Sequence, residues 1–180
     1  MRINRGKLKS RRFSIPKSFP SRPTTDFAKE GFFNVLENRI SLHELRILDL
    51  CAGTGNISFE FASREAGKII SVDKNHNCVK FINALAKQLE VDEDIQVIQS
   101  DVVKYLKAAT QPFDLIFADP PYAVTFHLEI VTTVFERNLL TDFGWLIVEH
   151  GRDTNLTTHP NFYDQKKYGN VYFSFFKLNV

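Results

Sequence analysis

The stretch "FDLIFADPPY", residues Phe113 to Tyr122, joins an apolar run directly to an acid, two prolines and a tyrosine. Phe113, Leu115, Ile116, Phe117 and Ala118 show almost no apolar–polar alternation, which is the pattern of a strand covered on both faces in a parallel sheet. Neither proline can donate a ladder hydrogen bond, so the strand must stop at Asp119. A strand buried on both faces needs helices on both sides of its sheet.

The flanking sequence supplies them. "RILDL" (46–50), "KIISVD" (68–73) and "IQVIQ" (95–99) read as three earlier strands and "GWLIVEH" (144–150) as a fifth. Helical spacing is expected over 24–40, with Thr24, Thr25 or Asp26 as cap, and over 56–66, 75–90, 102–108 and 127–140. After Gly151, "NFYDQKKYGNVYFSFFKL" has two alternating aromatic segments around Gly169-Asn170, a closing β-hairpin. The expected fold is α/β, a doubly wound Rossmann-like sheet with an antiparallel C-terminal hairpin and a small basic N-terminal extension. The domain reading is a basic arm or hairpin over 1–22 and a single domain over 23–180.

Composition narrows the function classes. The 180 residues are 43% hydrophobic and 24% charged, enough for one well-filled core. Cys51 and Cys78 form no CxxC pair and the five histidines have no ligand spacing, so neither a disulfide scaffold nor a metal site is expected. No apolar run approaches the roughly 18 residues of a membrane span, and the basic start has no apolar stretch behind it. A cytoplasmic monomer without membrane contact is the expectation. The net charge of +2 hides an asymmetry: residues 1–22 carry +8 and no acid, while the other 158 residues carry 15 basic and 21 acidic side chains. A basic arm on an acidic body is the footprint of a polyanionic partner, with Arg5, Lys7, Lys9, Arg11, Arg12 and Arg22 as candidate phosphate contacts.

"LDLCAGTGN" (48–56) sits where the first strand hands over to a helix. Gly53 and Gly55 permit positive φ and close approach of main chain to a ligand. A dinucleotide fingerprint fits poorly, since Ser58 occupies its third glycine position. Asp49, Asp73 and Asp101 follow three consecutive strands. Asp73 is placed for two ribose hydroxyls and Asp101, with Val102, for an adenine amino group; Asp49 faces an amino group or a bridging water. Ala52, Thr54 and Lys74 complete the candidate nucleoside site.

Asp119 then lies beside that nucleoside, at the end of the central strand. An exocyclic base amine is a poor nucleophile because its lone pair is delocalised into the ring. Accepting one N–H on Asp119 and the other on the Pro120 carbonyl pulls the nitrogen toward tetrahedral geometry and stabilises its developing positive charge. Pro120 and Pro121 fix the carbonyl direction, and Tyr122 offers a stacking face worth about 1–3 kcal/mol. Such chemistry needs an activated methyl and good positioning, but no metal.

These residues carry a family resemblance. D-x-x-x-G-x-G at 49–55 resembles the first motif of class I S-adenosylmethionine-dependent methyltransferases, and "DPPY" resembles the fourth motif of amino-methyltransferases acting on adenine N6, cytosine N4 or guanine N2. "RPTTDFAKEGFFNVL" (22–36) and the basic opening "MRINRGKLKSRRF" resemble the RsmD-like family, which methylates guanine N2 in small-subunit (16S) ribosomal RNA. The resemblance covers nearly the whole chain. It implies a class I methyltransferase sheet, S-adenosylmethionine as cofactor, 16S rRNA or a small-subunit assembly intermediate as partner, and Arg22, Thr24 and Thr25 near the methionine end or the substrate pocket. Phe27 stands where the family usually has an arginine, and Cys51 where an aromatic residue is common. Glu149 matches a family acid, and a structural salt bridge is its expected role. The competing readings are an N6-adenine methyltransferase on DNA or RNA, a non-catalytic RNA-binding assembly factor, and, more weakly, an NAD oxidoreductase.

Overall fold

The computed structural model describes residues 1–16, 19, 25–121 and 126–178. Five parallel strands, β1 (Arg46–Leu50), β2 (Lys68–Asp73), β3 (Ile95–Gln99), β4 (Phe113–Ala118) and β5 (Leu140–His150), are followed by the antiparallel pair β6 (Phe162–Tyr168) and β7 (Val171–Lys177). They make one seven-stranded sheet in the order β3-β2-β1-β4-β5-β7-β6. The chain runs outward from β1 to β3 and then returns to β4, so the strand order reverses between β1 and β4. In open α/β sheets ligands bind at this switch point, outside the carboxyl ends of the strands.

Helices α1 (Asp26–Glu37), α2 (Asn56–Ser63) and α3 (His76–Gln88) contribute to the apolar core on one face of the sheet, together with Ile47, Phe117, Ile147, Phe173 and Phe175. The other face buries Leu48, Leu50, Ile116, Leu146 and Val148 against α4 (Val102–Ala108) and α5 (His127–Glu136). The abundant phenylalanines find their place in the first core: Phe32 stacks on Phe173 at 5.0 Å between ring centroids and meets Phe33 and Phe117 at 4.9 and 5.1 Å.

Element boundaries differ modestly from expectation. Thr25 caps α1, accepting from Ala28 N at 3.2 Å, so the helix starts two residues later than expected. α5 stops at Glu136, with Asn138 in the left-handed region at φ 51°, and β5 starts four residues early at Leu140. The expected helix runs on to Leu140, but Leu140 pairs with Phe113 ahead of an irregularity in the β4–β5 ladder. Gly144 sits against that irregularity, where a Cβ would lie 2.9 Å from the Phe113 carbonyl oxygen.

The N-terminal segment is packed onto the body. Arg2 and Arg12 form an isolated antiparallel bridge, and Ile3 and Leu8 are buried in the first core. Lys7 N donates to the Ser63 carbonyl at 2.8 Å and Leu8 N to Ser63 Oγ at 2.9 Å, tying this strap to the end of α2.

Candidate active site

Three loops meet at the switch point. The β1–α2 loop leaves the sheet through Cys51, which takes φ 59° although it is not glycine, and then turns through Gly53 (φ 54°) and Gly55 (φ 73°). Gly55 caps α2 in the left-handed conformation, and a Cβ there would press to 2.8 Å from the Phe59 ring. Its amide donates to the Ala52 carbonyl at 2.7 Å, closing the loop on itself, while Ala52 N donates to Val72 O of β2 at 3.1 Å. Thr54 and Ala52 are buried.

Asp73, the last residue of β2, fastens this loop to the next one. Its Oδ2 accepts from Gly53 N at 2.8 Å and its Oδ1 from Asn75 N at 2.8 Å. Each oxygen keeps a second lone pair, so the carboxylate retains capacity for hydroxyl donors. Asp49, one residue from the end of β1, is buried and accepts from Ser58 Oγ, which in turn lies 2.7 Å from Ser71 Oγ. Ser58, at the third glycine position of the dinucleotide pattern, therefore faces inward to Asp49. Burial raises the Asp49 pKa to about 7, opposed by the Ser58 hydrogen bonds and helped by the charge of Asp73.

Asp119 follows β4 and donates its amide to Leu50 O at 3.2 Å, which sets it beside the β1 exit. Pro120 is buried and Pro121 exposed. The Cys51 thiol reports how the acids converge. Its pKa is raised first by burial, then by the carboxylates of Asp73, Asp119 and Asp49 in turn, with Lys74 opposing. Asp101 caps α4, its Oδ1 accepting from Lys104 N at 3.0 Å; Val102 behind it is buried and Lys74 is exposed. Ser100 N donates to Asp73 O at 3.1 Å, joining the β2 and β3 ends. Among the described residues no group of three His, Cys, Asp or Glu is arranged to hold a metal ion. No helix among them is long and apolar enough to cross a membrane.

The remaining candidates scatter. Arg22, Thr24 and Tyr122 lie outside the described residues. In the strap, Arg5 pairs with Glu37 at 2.8 Å and Lys7 with Asp94 at 3.1 Å. Lys9, Arg11 and Arg12 make no ion pair among the described residues; Arg12, with Arg2, Phe13, Ser14, Thr25, Asp26 and Asn56, lines a cleft of about 510 Å3. Glu149 is buried at the end of β5.

Sequence reasoning missed a buried polar cluster behind this cleft. Lys29 of α1 and Glu60 of α2 are both fully buried, 3.3 Å apart. Lys29 Nζ also donates to Asn56 Oδ1 at 2.9 Å and to the Arg2 carbonyl. Lys29 shares its face of α1 with Phe32, Phe33 and Leu36, and its spacing of three, four and seven residues from them was the available signal.

Comparison with known proteins agrees with this geometry. Residues 1–177 match the family described as Conserved hypothetical protein 95. The Ribosomal RNA small subunit methyltransferase D of Haemophilus influenzae is 32% identical over 167 residues, 89% of this chain and 84% of that one. The chain belongs to the RsmD-like family. A second member of that name, from Buchnera aphidicola, is 27% identical over 93% of this chain and 85% of its own. In the solved structures, a Thermus thermophilus protein superposes with a TM-score of 0.85 at 23% identity, covering 99% of both chains, and shares the fold.

Proposed function

We propose that this family member transfers a methyl group from S-adenosylmethionine to the exocyclic N2 of a guanine in small-subunit ribosomal RNA. The observation that carries the reading is the acidic switch point: Asp73 Oδ2 accepts from Gly53 N of the glycine loop at 2.8 Å, Asp49 is buried one residue before the end of β1, and the Asp119 amide donates to Leu50 O at 3.2 Å. A diphosphate would be repelled there, whereas a cofactor with an ammonium and a sulfonium is attracted. The glycine loop fits such a guest as well, since Gly53 and Gly55 turn it at positive φ and leave its bend without side chains. Asp73 holds the ribose hydroxyls with its spare lone pairs, Asp49 the amino group, and Ala52, Gly53, Thr54 and Gly55 the loop-facing side. Lys74, Asp101 and Val102 border the adenine. Bound there, S-adenosylmethionine supplies a methyl carried on positive sulfur.

The chain's own residues do the rest. The Asp119 carboxylate and the Pro120 carbonyl accept the two amino hydrogens of the target base, turn its lone pair out of conjugation and stabilise the positive charge that develops on nitrogen. Pro120 and Pro121 stiffen that corner, and Tyr122 gives the unstacked guanine a face to lie on. The surplus proton leaves to water, because an alkylated amine cation of this kind is strongly acidic. Lys9, Arg11, Arg12 and Arg22 hold RNA phosphates around the base.

The test is product identification. Purified protein, labelled S-adenosylmethionine and rRNA lacking the modification are expected to yield N2-methylguanosine on nucleoside mass spectrometry. N6-methyladenosine in its place would overturn the substrate and keep the chemistry; no heat of S-adenosylmethionine binding in calorimetry would overturn both.

A further inference from the structure

A fully enclosed charge lies outside the reaction site. Lys29 is fully buried, and its ammonium has partners on two other segments, α2 and the strap. It meets Glu60 of α2 at 3.3 Å, it donates to Asn56 Oδ1 at 2.9 Å, and it donates to the main-chain carbonyl of Arg2 in the strap. Asp26 lies 4.0 Å away on its own helix. Asn56 is the first residue of α2 and follows Gly55 directly, so it belongs to the hinge between the glycine loop and its helix. Glu60 is shared in the same manner. Its Oε2 accepts from Asn4 N at 2.9 Å and its Oε1 from Arg5 N at 3.1 Å, both in the strap, while Arg64 donates to Oε1 at 2.8 Å.

A charge buried in this way is costly unless every partner stays in place, because a cation stripped of one acceptor cannot regain water. Burial indeed lowers the Lys29 pKa, with Glu60 opposing. Strap and glycine loop therefore answer to a single ammonium, and displacing the strap removes one of its acceptors.

We infer that Lys29 is a positioning residue that couples the seating of the N-terminal strap to the conformation of the cofactor loop, through the Arg2 carbonyl on one side and Asn56 on the other. The consequence is mutual. A strap pressed home by RNA favours the loop that holds S-adenosylmethionine, and a filled loop favours the seated strap, since coupling free energies are reciprocal. This inference rests on the cofactor reading given above.

A double-mutant cycle read by S-adenosylmethionine calorimetry, well below the melting temperature, tests it. Lys29→Met removes the ammonium at similar volume. Gly6→Ala unseats the strap from a distance: Gly6 has φ 86°, and a Cβ there would fall 1.7 Å from the Ser63 carbonyl oxygen. Each single variant is expected to weaken binding by about five- to tenfold, in the range of ordinary site–site coupling. The double variant is expected to be no weaker than Lys29→Met within about twofold, because both break one linkage. Wild-type affinity in Gly6→Ala, or factors that multiply in the double variant, would overturn the coupling. Should Lys29→Met not fold, Asn56→Ala replaces it in the same cycle with the same two outcomes. Wild-type protein that binds no S-adenosylmethionine would instead sink the cofactor reading, so the two failures are separable.

Discussion

Glu60 and the pair Asp49 and Asp73 are all buried carboxylates attached to α2 or the strands beside it, yet the protein treats them in opposite ways. Glu60 is met by Lys29, by Arg64 and by two strap amides. Asp49 and Asp73 are held by a serine hydroxyl and by main-chain amides, and among the described residues neither makes an ion pair. A carboxylate neutralised from within belongs to the architecture. One that is fixed in place but given no counter-charge lifts the energy of its site, and that energy is recovered when a cation arrives from outside. The contrast separates what holds the fold from what the fold is for.

The sharpest break is expected at Asp119, the switch-point acid that the proposed mechanism sets against the target amine. Asp119→Ala is expected to lower turnover by about 100- to 1000-fold, the usual cost of one preorganised partner for developing charge. Its melting temperature and its S-adenosylmethionine affinity are expected to stay near wild type. Labelled-methyl transfer and calorimetry on the same preparation check both; full turnover would remove Asp119 from the mechanism.

The converse applies to Glu60. Glu60→Ala leaves Lys29 without its buried counter-charge and two strap amides without their acceptor, and breaking a buried pair costs about 3–5 kcal/mol. For a chain of this length that corresponds to roughly 2–4 °C of melting temperature per kcal/mol, readable by calorimetric scanning. Asp49→Asn, by contrast, is expected to cost little stability at pH 7. If the two variants melted alike, the distinction between the two groups would fail.

Asp49 also makes the comparison pH-dependent. Its folded pKa of about 7 stands above the ordinary value of 3.8. Between those values the unfolded chain has lost the proton that the folded chain keeps, so this group's contribution to stability is fully present below about pH 4 and is lost as pH rises through about 7. Relative to Asp49→Asn, the wild type is thus expected to lose melting temperature from about pH 4 to about pH 7. Cofactor binding should run the other way. An ammonium prefers the ionised carboxylate, so affinity is expected to rise with pH up to about 7, with proton release visible as a buffer-dependent heat. Asp49→Asn is expected to flatten that dependence.

Much of this was legible in the chain. "FDLIFADPPY" announced a doubly covered strand and its end, and the parallel strands fell where their β-branched and aliphatic runs lay, because burial on both faces leaves a one-dimensional signature. The start of β5 was not legible, since Thr141, Asp142 and Gly144 carry no strand pattern and only the pairing of Leu140 with Phe113 sets it. Cys51 in the left-handed region was equally hidden, as no local rule asks for a cysteine there. In the site, acids at strand ends could be read one by one, but their convergence is a property of strand order. Lys29 escaped because its partners, Arg2, Asn56 and Glu60, come from two other segments. The strap's cations read as one patch, whereas the fold divides the described ones between ion pairs with the body and positions that make no such pair with another described residue.

That division gives the smallest and most discriminating effect. Arg5 and Lys7 spend their charge on Glu37 and Asp94, whereas Arg12 makes no ion pair among the described residues and lines the cleft beside the start of α1. A phosphate contact lowers the slope of log affinity against log salt by about 0.7–0.9 when it is lost, since one set of counterions is no longer released. Arg12→Ala is therefore expected to flatten the salt dependence of rRNA binding by close to one unit while leaving the melting temperature unchanged. Lys7→Ala is expected to do the reverse on a small scale: no change of slope, and at most about 1 kcal/mol of stability, the worth of an exposed pair. Filter binding across a salt series resolves the two. Equal slopes for both variants would mean that the arm's free and paired cations are interchangeable to RNA, and that the fold does not sort them.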